Sequence, residues 1–423
     1  MENHVLLVFH LPIRFDFEWM KHETPLPKSL TFFSLYIAQS IPMSLFSTLL
    51  PVLMRQEQFS LTSIGLLQLI KLPWIVKFLW APLVDRKTTH LASYKRWIVL
   101  SEVVYAFFML MLAFLNLQMH FLLIVVLIVL SLVASATQDI ATDALTTLSF
   151  SRTDRSKGNS IQSMGHFTGS LVGGGLLLVL YPYMGWLAMM LSLSAFVLLM
   201  LLPLLRYKDD TFTSKPGRSP IQMRDLLLFF TQKGIGMQLL FLFLFNSGLI
   251  GILSMLKPWL VDLKYPMAEI GLMFSVFGSF CGLVGSFVSG RVLRRLGRSK
   301  GAVVYAGLLS LVVGYFVWIS YTGYLNTYSL SLGIALLWFT YGLSTVLVYT
   351  LAMDFVREGR EGTDFTLQIV LLHISSMLVA IGSGRLADVF GYTALFAAEG
   401  VLALISFAFV VLFVRKRVYA HVQ

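Results

Sequence analysis

The chain has 423 residues, 57% of them hydrophobic and only 13% charged, with a mean hydropathy of +0.79 and a net charge of +11. Soluble domains carry about 25% charged residues, and a water-soluble fold of this composition would expose far more apolar surface than such folds tolerate. A soluble enzyme or nucleic-acid binder is thereby excluded, and an all-α polytopic membrane protein is expected.

In chain order, residues 1–29 mix charges, prolines and aromatics and read as a cytoplasmic tail. Their one apolar piece, "VLLVFH", is shorter than a secretory signal core of roughly 7–15 residues, and Met20 is an alternative start. A membrane-spanning helix needs about 20 mostly apolar residues. Twelve stretches qualify: 30–54, 62–84, 96–117, 119–148, 159–182, 184–206, 237–262, 267–290, 301–322, 326–354, 364–387 and 392–414. They are numbered here as spans 1 to 12. Six precede the polar segment 207–236 and six follow it. The expected organisation is therefore a bundle over 30–206, a cytoplasmic linker over 207–236, a second bundle over 237–414 and a tail over 415–423. Within the linker, "PIQMRDLLLFFTQKG" has the alternation of a short amphipathic helix lying on the membrane surface. Cytoplasmic loops are enriched in Lys and Arg. With both termini inside, 26 of the 32 basic residues fall on the cytoplasmic side and only Arg55 and Lys264 fall outside. This asymmetry accounts for the net charge without any nucleic-acid partner.

The halves echo each other at an offset of 206 residues. Ile64-Gly65 entering span 2 answers Ile270-Gly271 entering span 8. Gln162 answers Gln368, and Gly185 in "MGWLAMM" answers Gly391 in "FGYTALF". Duplication with a substrate site between the halves is the plan of many secondary transporters.

Depth along the helices sorts the buried polar residues into three layers. The cytoplasmic layer holds Lys77, Asp85 and the adjoining Arg86, Glu102, Asp139, Asp143 and Asp354. Spans 2 and 4 run in the same direction, so Lys77 can meet Asp139 or Asp143. Ionisable groups in a span pair or face water, because leaving them unpaired in lipid costs several kcal/mol. The group reads as a gate or coupling network, with a static ion pair as the plainer alternative. The midplane layer holds Gln39, Lys71, Gln162, His166, Asn246, Gln368 and His373 and reads as the substrate and proton pathway. The histidines are candidate carriers because their ordinary pKa lies nearest neutral. Packing histidines and a snorkelling Lys71 are the alternatives. The outer layer holds Lys257, Asp262, Arg385 and Glu399. Lys257–Glu399 and Arg385–Asp262 are the possible extracellular gate pairs, against simple snorkelling. Small residues in "GSLVGGG", "FGSFCGLVGSFVSG" and "AIGSG" let helices approach closely and slide.

Two six-helix repeats with the basic loops "APLVDRK" and "GRVLRRLGRSK" resemble the major facilitator superfamily. "LPWIVKFLWAPLVDR" and "SATQDIATDA" resemble its branch of AmpG-type muropeptide permeases, acetyl-CoA transporters and ferri-siderophore permeases. "PVLMRQEQFSLTSIGLL" and "GNSIQSMGHFTGSLVGGG" look most like the siderophore permeases. The family's loop pattern Gly-x-x-x-Asp-Arg-x-Gly-Arg is split. The first copy keeps Asp85 and Arg86. The second keeps Gly290, Gly297 and Arg298 but has Arg294 where the acid belongs.

No phosphate-binding "GxxxxGK[ST]" loop occurs, and no Cys/His cluster suggests a metal; Cys281 is the single cysteine and has no internal disulfide partner. No cofactor or metal is expected. The sequence thus points to a monomeric alternating-access transporter of the bacterial inner membrane, importing a polar solute with protons. The resemblance implies a ferri-siderophore first and a muropeptide second. A membrane-embedded enzyme on lipid-linked substrates is the reading from another class.

Overall fold

The computed structural model describes residues 26–56, 72–86, 90–116, 119–208 and 223–412. Among them every regular element is helical. Eight stretches are long and apolar enough to cross a membrane, among them Leu91–Ala113, Phe121–Ser149, Ile235–Asp262 and Thr327–Asp354. Two others, Glu269–Thr322 and Glu361–Leu412, have 54 and 52 residues. At 1.5 Å per residue each is more than twice the thickness of a bilayer core of about 30 Å.

Glycine resolves that excess. Gly297 and Gly391 interrupt the two long stretches with φ of 74° and 79° and ψ near 170°. Only a residue without a Cβ adopts this region freely. The arms on either side then lie together: Ser289 Oγ is 3.0 Å from Tyr305 Oη across Gly297, and Ser383 donates to Glu399 at 2.6 Å across Gly391. Gly185, between spans 5 and 6, has the same backbone conformation, φ 70° and ψ 175°. Gly185 and Gly391, paired by the 206-residue offset, therefore form the same turn. The sequence places a loop over 291–300, yet the helix runs on through this basic stretch and turns only at Gly297.

Several helices are broken where polar groups sit. The described part of span 2 is a helix over Leu72–Val76, a tight 3₁₀ turn over Lys77–Leu79, and a second helix over Ala81–Arg86. Pro82, at the start of that second helix, has no N–H to extend the first one's ladder. Span 7 breaks at Asn246 into Ile235–Leu244 and Ser247–Asp262. Spans 5 and 8 each carry a widened π segment, Val172–Leu176 and Leu272–Gly278.

Buried apolar side chains cluster by half. Two clusters draw only on residues between Phe32 and Tyr207, and the largest draws on Phe241 to Val410. Span 5 packs on span 1 through glycines four residues apart: a Cβ on Gly165, Gly169 or Gly173 would lie 2.6, 2.2 and 2.2 Å from Tyr36 Cβ, Ser40 Cβ and Ile41 O. The halves meet where span 5 lies along span 8, with Ser160 donating to Ser286 O at 2.7 Å. In the linker, a short helix over Arg224–Phe229 buries Phe229 and exposes Leu227. Arg360 pairs with Asp225 at 2.9 Å, tying that helix to the loop before span 11.

A candidate transport site between the halves

A cavity of about 270 Å³ lies between the halves. Residues from spans 1, 2, 4 and 5 form one wall and residues from spans 10 and 11 the other. The first wall carries the charges. The 3₁₀ turn of span 2 aims Lys77, with no exposed surface, at Asp139, and the two form an ion pair. Gln39 donates to the same carboxylate at 2.9 Å. One turn along span 4, Asp143 accepts from Tyr36 Oη and Gln162 Nε2, both at 2.9 Å. Among the described residues no cation pairs with Asp143, and neutral donors from spans 1 and 5 hold it. His166 lies beside Tyr36 and shares a 2.8 Å hydrogen bond with Ser40. Lys77 also lies 4.9 Å from the centre of the Trp74 ring.

The second wall is aromatic. Trp338 and Tyr341 of span 10 meet Phe167 of span 5 edge to face, with all three centroids 6.0 Å apart. Tyr349, Thr345 and His373 complete this side. Several polar atoms around the cavity are buried with no partner: Gln39 Oε1, Trp74 Nε1, Gln162 Oε1, Ser163 Oγ and Trp338 Nε1. Buried polar groups are nearly always paired, so these five form an unused set of donors and acceptors.

The end of the molecule with the basic loops is closed by two polar clusters. Asp85 accepts from the Gly362 and Thr363 amides at 3.0 and 2.6 Å and from the Thr363 hydroxyl at 2.7 Å. It thus caps the N-terminus of span 11, where free amides and the helix dipole favour an anion. Asp354 of span 10 is reached by Arg155 at 2.9 Å and by Arg298. Arg155 precedes span 5 in the first half, and Arg298 follows Gly297 in the second. The acid missing at Arg294 is in this way supplied by span 10. Arg152, Arg155 and Arg298 were legible only as loop charge. Of these, the Gly297-Arg298 pair was the one signal in the sequence.

Not every expected residue reaches the cavity. Gln368 lies near the basic end, where Gln238 donates to it at 3.0 Å and it donates to Ala352 O at 2.8 Å. Asn246 is buried in the break of span 7 and does not line the cavity. Glu102 lies between spans 3 and 4, apart from the Lys77 network, and Arg86 is exposed. Lys71 lies outside the described residues. The two outer pairs do not form. Glu399 is buried on its Ser383 bond against Gly251, whereas Lys257 is exposed beside the Phe274 ring. Asp262 accepts instead from Tyr392 at 2.7 Å, and Arg385 points to the surface.

Comparison with known proteins fits this arrangement. The Major Facilitator Superfamily profile matches residues 30–380 and 239–423. The anhydromuropeptide permease of Escherichia coli K12 is 24% identical over 372 residues, covering 87% of this chain and 76% of that protein. An AmpG-type transporter of Rickettsia conorii is 23% identical over 386 residues, covering 88% and 93%. Among solved structures, the proton:xylose symporter XylE aligns with a TM-score of 0.70 at 11% identity, covering 92% and 95% of the two chains. The E. coli fucose:proton symporter FucP aligns at 0.70 and 14%, covering 93% and 99%. At such identities the solved structures speak for the fold alone. The chain belongs to the Major Facilitator Superfamily, and within it is similar to the AmpG-type permeases.

Proposed function

We propose that the protein imports an anhydromuropeptide across the bacterial inner membrane, coupled to protons, by alternating access. In this reading the helices, divided at Gly185, Gly297 and Gly391, make twelve passes in two six-helix bundles. The basic end and both termini face the cytoplasm, as the Lys/Arg asymmetry favours. The Asp85 and Asp354 clusters are then the inner gate, closed in this conformation.

The observation that carries the substrate reading is the division of labour across the cavity. An aromatic wall of Trp338, Tyr341 and Tyr349, met by Phe167 of span 5, faces a wall bearing Lys77, Asp139 and Asp143. Sugar rings pack on aromatic faces, and a peptide's carboxylates and amides suit Lys77 and the unpartnered Gln39, Gln162 and Trp atoms. The likeness to the E. coli anhydromuropeptide permease supports this cargo over a ferri-siderophore. A cavity of about 270 Å³ is at the small end for a ligand site, so a sugar–peptide requires the halves to part.

Asp143 and Asp139 are the proposed coupling carboxylates, with His166 and His373 at the same cavity. Protonation drives transport only if it favours one conformation over the other. Asp143→Asn keeps the hydrogen-bonding shape and removes the charge. It is expected to abolish accumulation of anhydromuropeptide against a gradient while leaving counterflow exchange in proteoliposomes. Uphill accumulation at the normal rate in that variant rules out the coupling role.

A further inference from the structure

A second polar cluster lies away from the cavity, between spans 3 and 4. Glu102 is 1% exposed and Tyr105, one turn along span 3, 2% exposed. Facing them from span 4 are Ser135 and Gln138, one turn apart and equally buried. Glu102 stands beside Gln138 and Tyr105 beside Ser135. Yet neither facing pair closes to ordinary hydrogen-bond geometry: Glu102 Oε2, Tyr105 Oη, Ser135 Oγ and both amide atoms of Gln138 stay short of it among the described residues. Buried polar groups are nearly always fully paired, so two facing polar pairs that do not close leave a polar gap between spans 3 and 4.

Charge balance among the described residues is equally incomplete. No ion pair among the described residues reaches Glu102. The neighbouring acid on span 4, Asp139, is already committed to Lys77. Span 6, which also packs on span 3, brings no acid or base from 184 to 200, and on span 3 itself Tyr105 is the adjacent titratable group. An ionised carboxylate so placed requires a positive charge. The available ligands are all oxygen: a carboxylate, two hydroxyls and an amide carbonyl. Oxygen donors suit hard cations, and one carboxylate balances one positive charge.

We propose that Glu102, Tyr105, Ser135 and Gln138 form a buried site for a small monovalent cation, a proton on Glu102 or a sodium ion shared among the four oxygens. Gln138 precedes Asp139 directly on span 4, so filling this site bears on the helix that carries both cavity acids. That consequence rests on the transport reading above. The binding itself does not depend on what the cavity carries.

The test uses the purified full-length protein without substrate. A cation that binds the folded state alone raises the unfolding midpoint with its concentration. The wild type is expected to show a midpoint that shifts with Na⁺ when choline is replaced at fixed pH, or with pH alone if the cation is a proton. Glu102→Gln is expected to lose that shift. Parallel shifts in wild type and variant overturn the proposal, as does a wild type insensitive to both. Should the variant not fold, dicyclohexylcarbodiimide labelling of the wild type, mapped by mass spectrometry, reads the same site. Labelling of Glu102 that falls with added Na⁺ or with rising pH supports the proposal, and labelling indifferent to both overturns it.

Discussion

Lys77 and Asp139 have almost no contact with water, so each depends on the other. Removing one partner of a buried pair typically costs about 3–5 kcal/mol, whereas replacing both with apolar groups is often neutral or better. Lys77→Met alone is thus expected to destabilise strongly, and Lys77→Met combined with Asp139→Leu to recover most of the loss, read by thermal unfolding in detergent. Equal destabilisation by single and double variants contradicts a mutually dependent pair. The double variant also separates stability from function, because it is expected to fold and yet fail to accumulate substrate. Tyr36 does a smaller job: its hydroxyl is one of two neutral donors holding Asp143. Tyr36→Phe removes a hydrogen bond to a charged group, worth about 1.5–3 kcal/mol. Much of this layer could be read from the sequence, since a lysine and two acids at one depth on parallel spans have few other places to go. Which acid takes the lysine was not readable. The 3₁₀ turn at Lys77 sets that, and it depends on how span 2 breaks before Pro82.

Helices report on themselves less evenly. Spans rich in apolar residues are legible from length and composition alone. The tight turns are legible only because Gly185 and Gly391 repeat at a fixed offset, and Gly297 has no such partner. Gln162 and Gln368 show the limit of that logic. They share the offset, but one binds Asp143 at the cavity and the other is used up by Gln238 and Ala352. Duplication preserves backbone position better than side-chain role. The outer pairs failed for a related reason: depth along a helix says nothing of which face a residue occupies, and Glu399 faces Gly251 inside its own half. Two element-scale predictions follow from close packing. Gly169→Val places atoms where Ser40 Cβ already lies. Overpacking of this kind costs about 1–3 kcal/mol, and it is expected to part spans 1 and 5 and lower uptake about tenfold or more at unchanged membrane expression. Asn159, fully buried between Arg155 and the end of span 10, reports on the proposed inner gate. In a Cys281→Ser background, Asn159→Cys should react slowly with maleimide added from the basic end. Adding Asp354→Ala, which frees Arg155 and Arg298, should speed that reaction severalfold. An unchanged rate would mean that Asp354 does not hold this end shut.

At the scale of the whole molecule, the halves meet through polar contacts at the basic end, through spans 2 and 4 against span 11, and through span 5 against spans 8 and 10. Each half keeps its own apolar core. In the proposed cycle such an arrangement would rock at the seam without unpacking either core, and the cavity sits on that seam. Charges on one wall and aromatics on the other mean that a bound sugar–peptide bridges the halves, while a proton on Asp139 or Asp143 acts within the first half alone. The proposed mechanism therefore requires coupling between cargo and proton in one conformational cycle. The most direct measurement is uptake of an anhydromuropeptide into proteoliposomes holding the purified protein, with and without an inward proton gradient. Accumulation above the external concentration with the gradient, and equilibration without it, is the predicted result. Uptake that is absent, or that proceeds identically with and without the gradient, would contradict it.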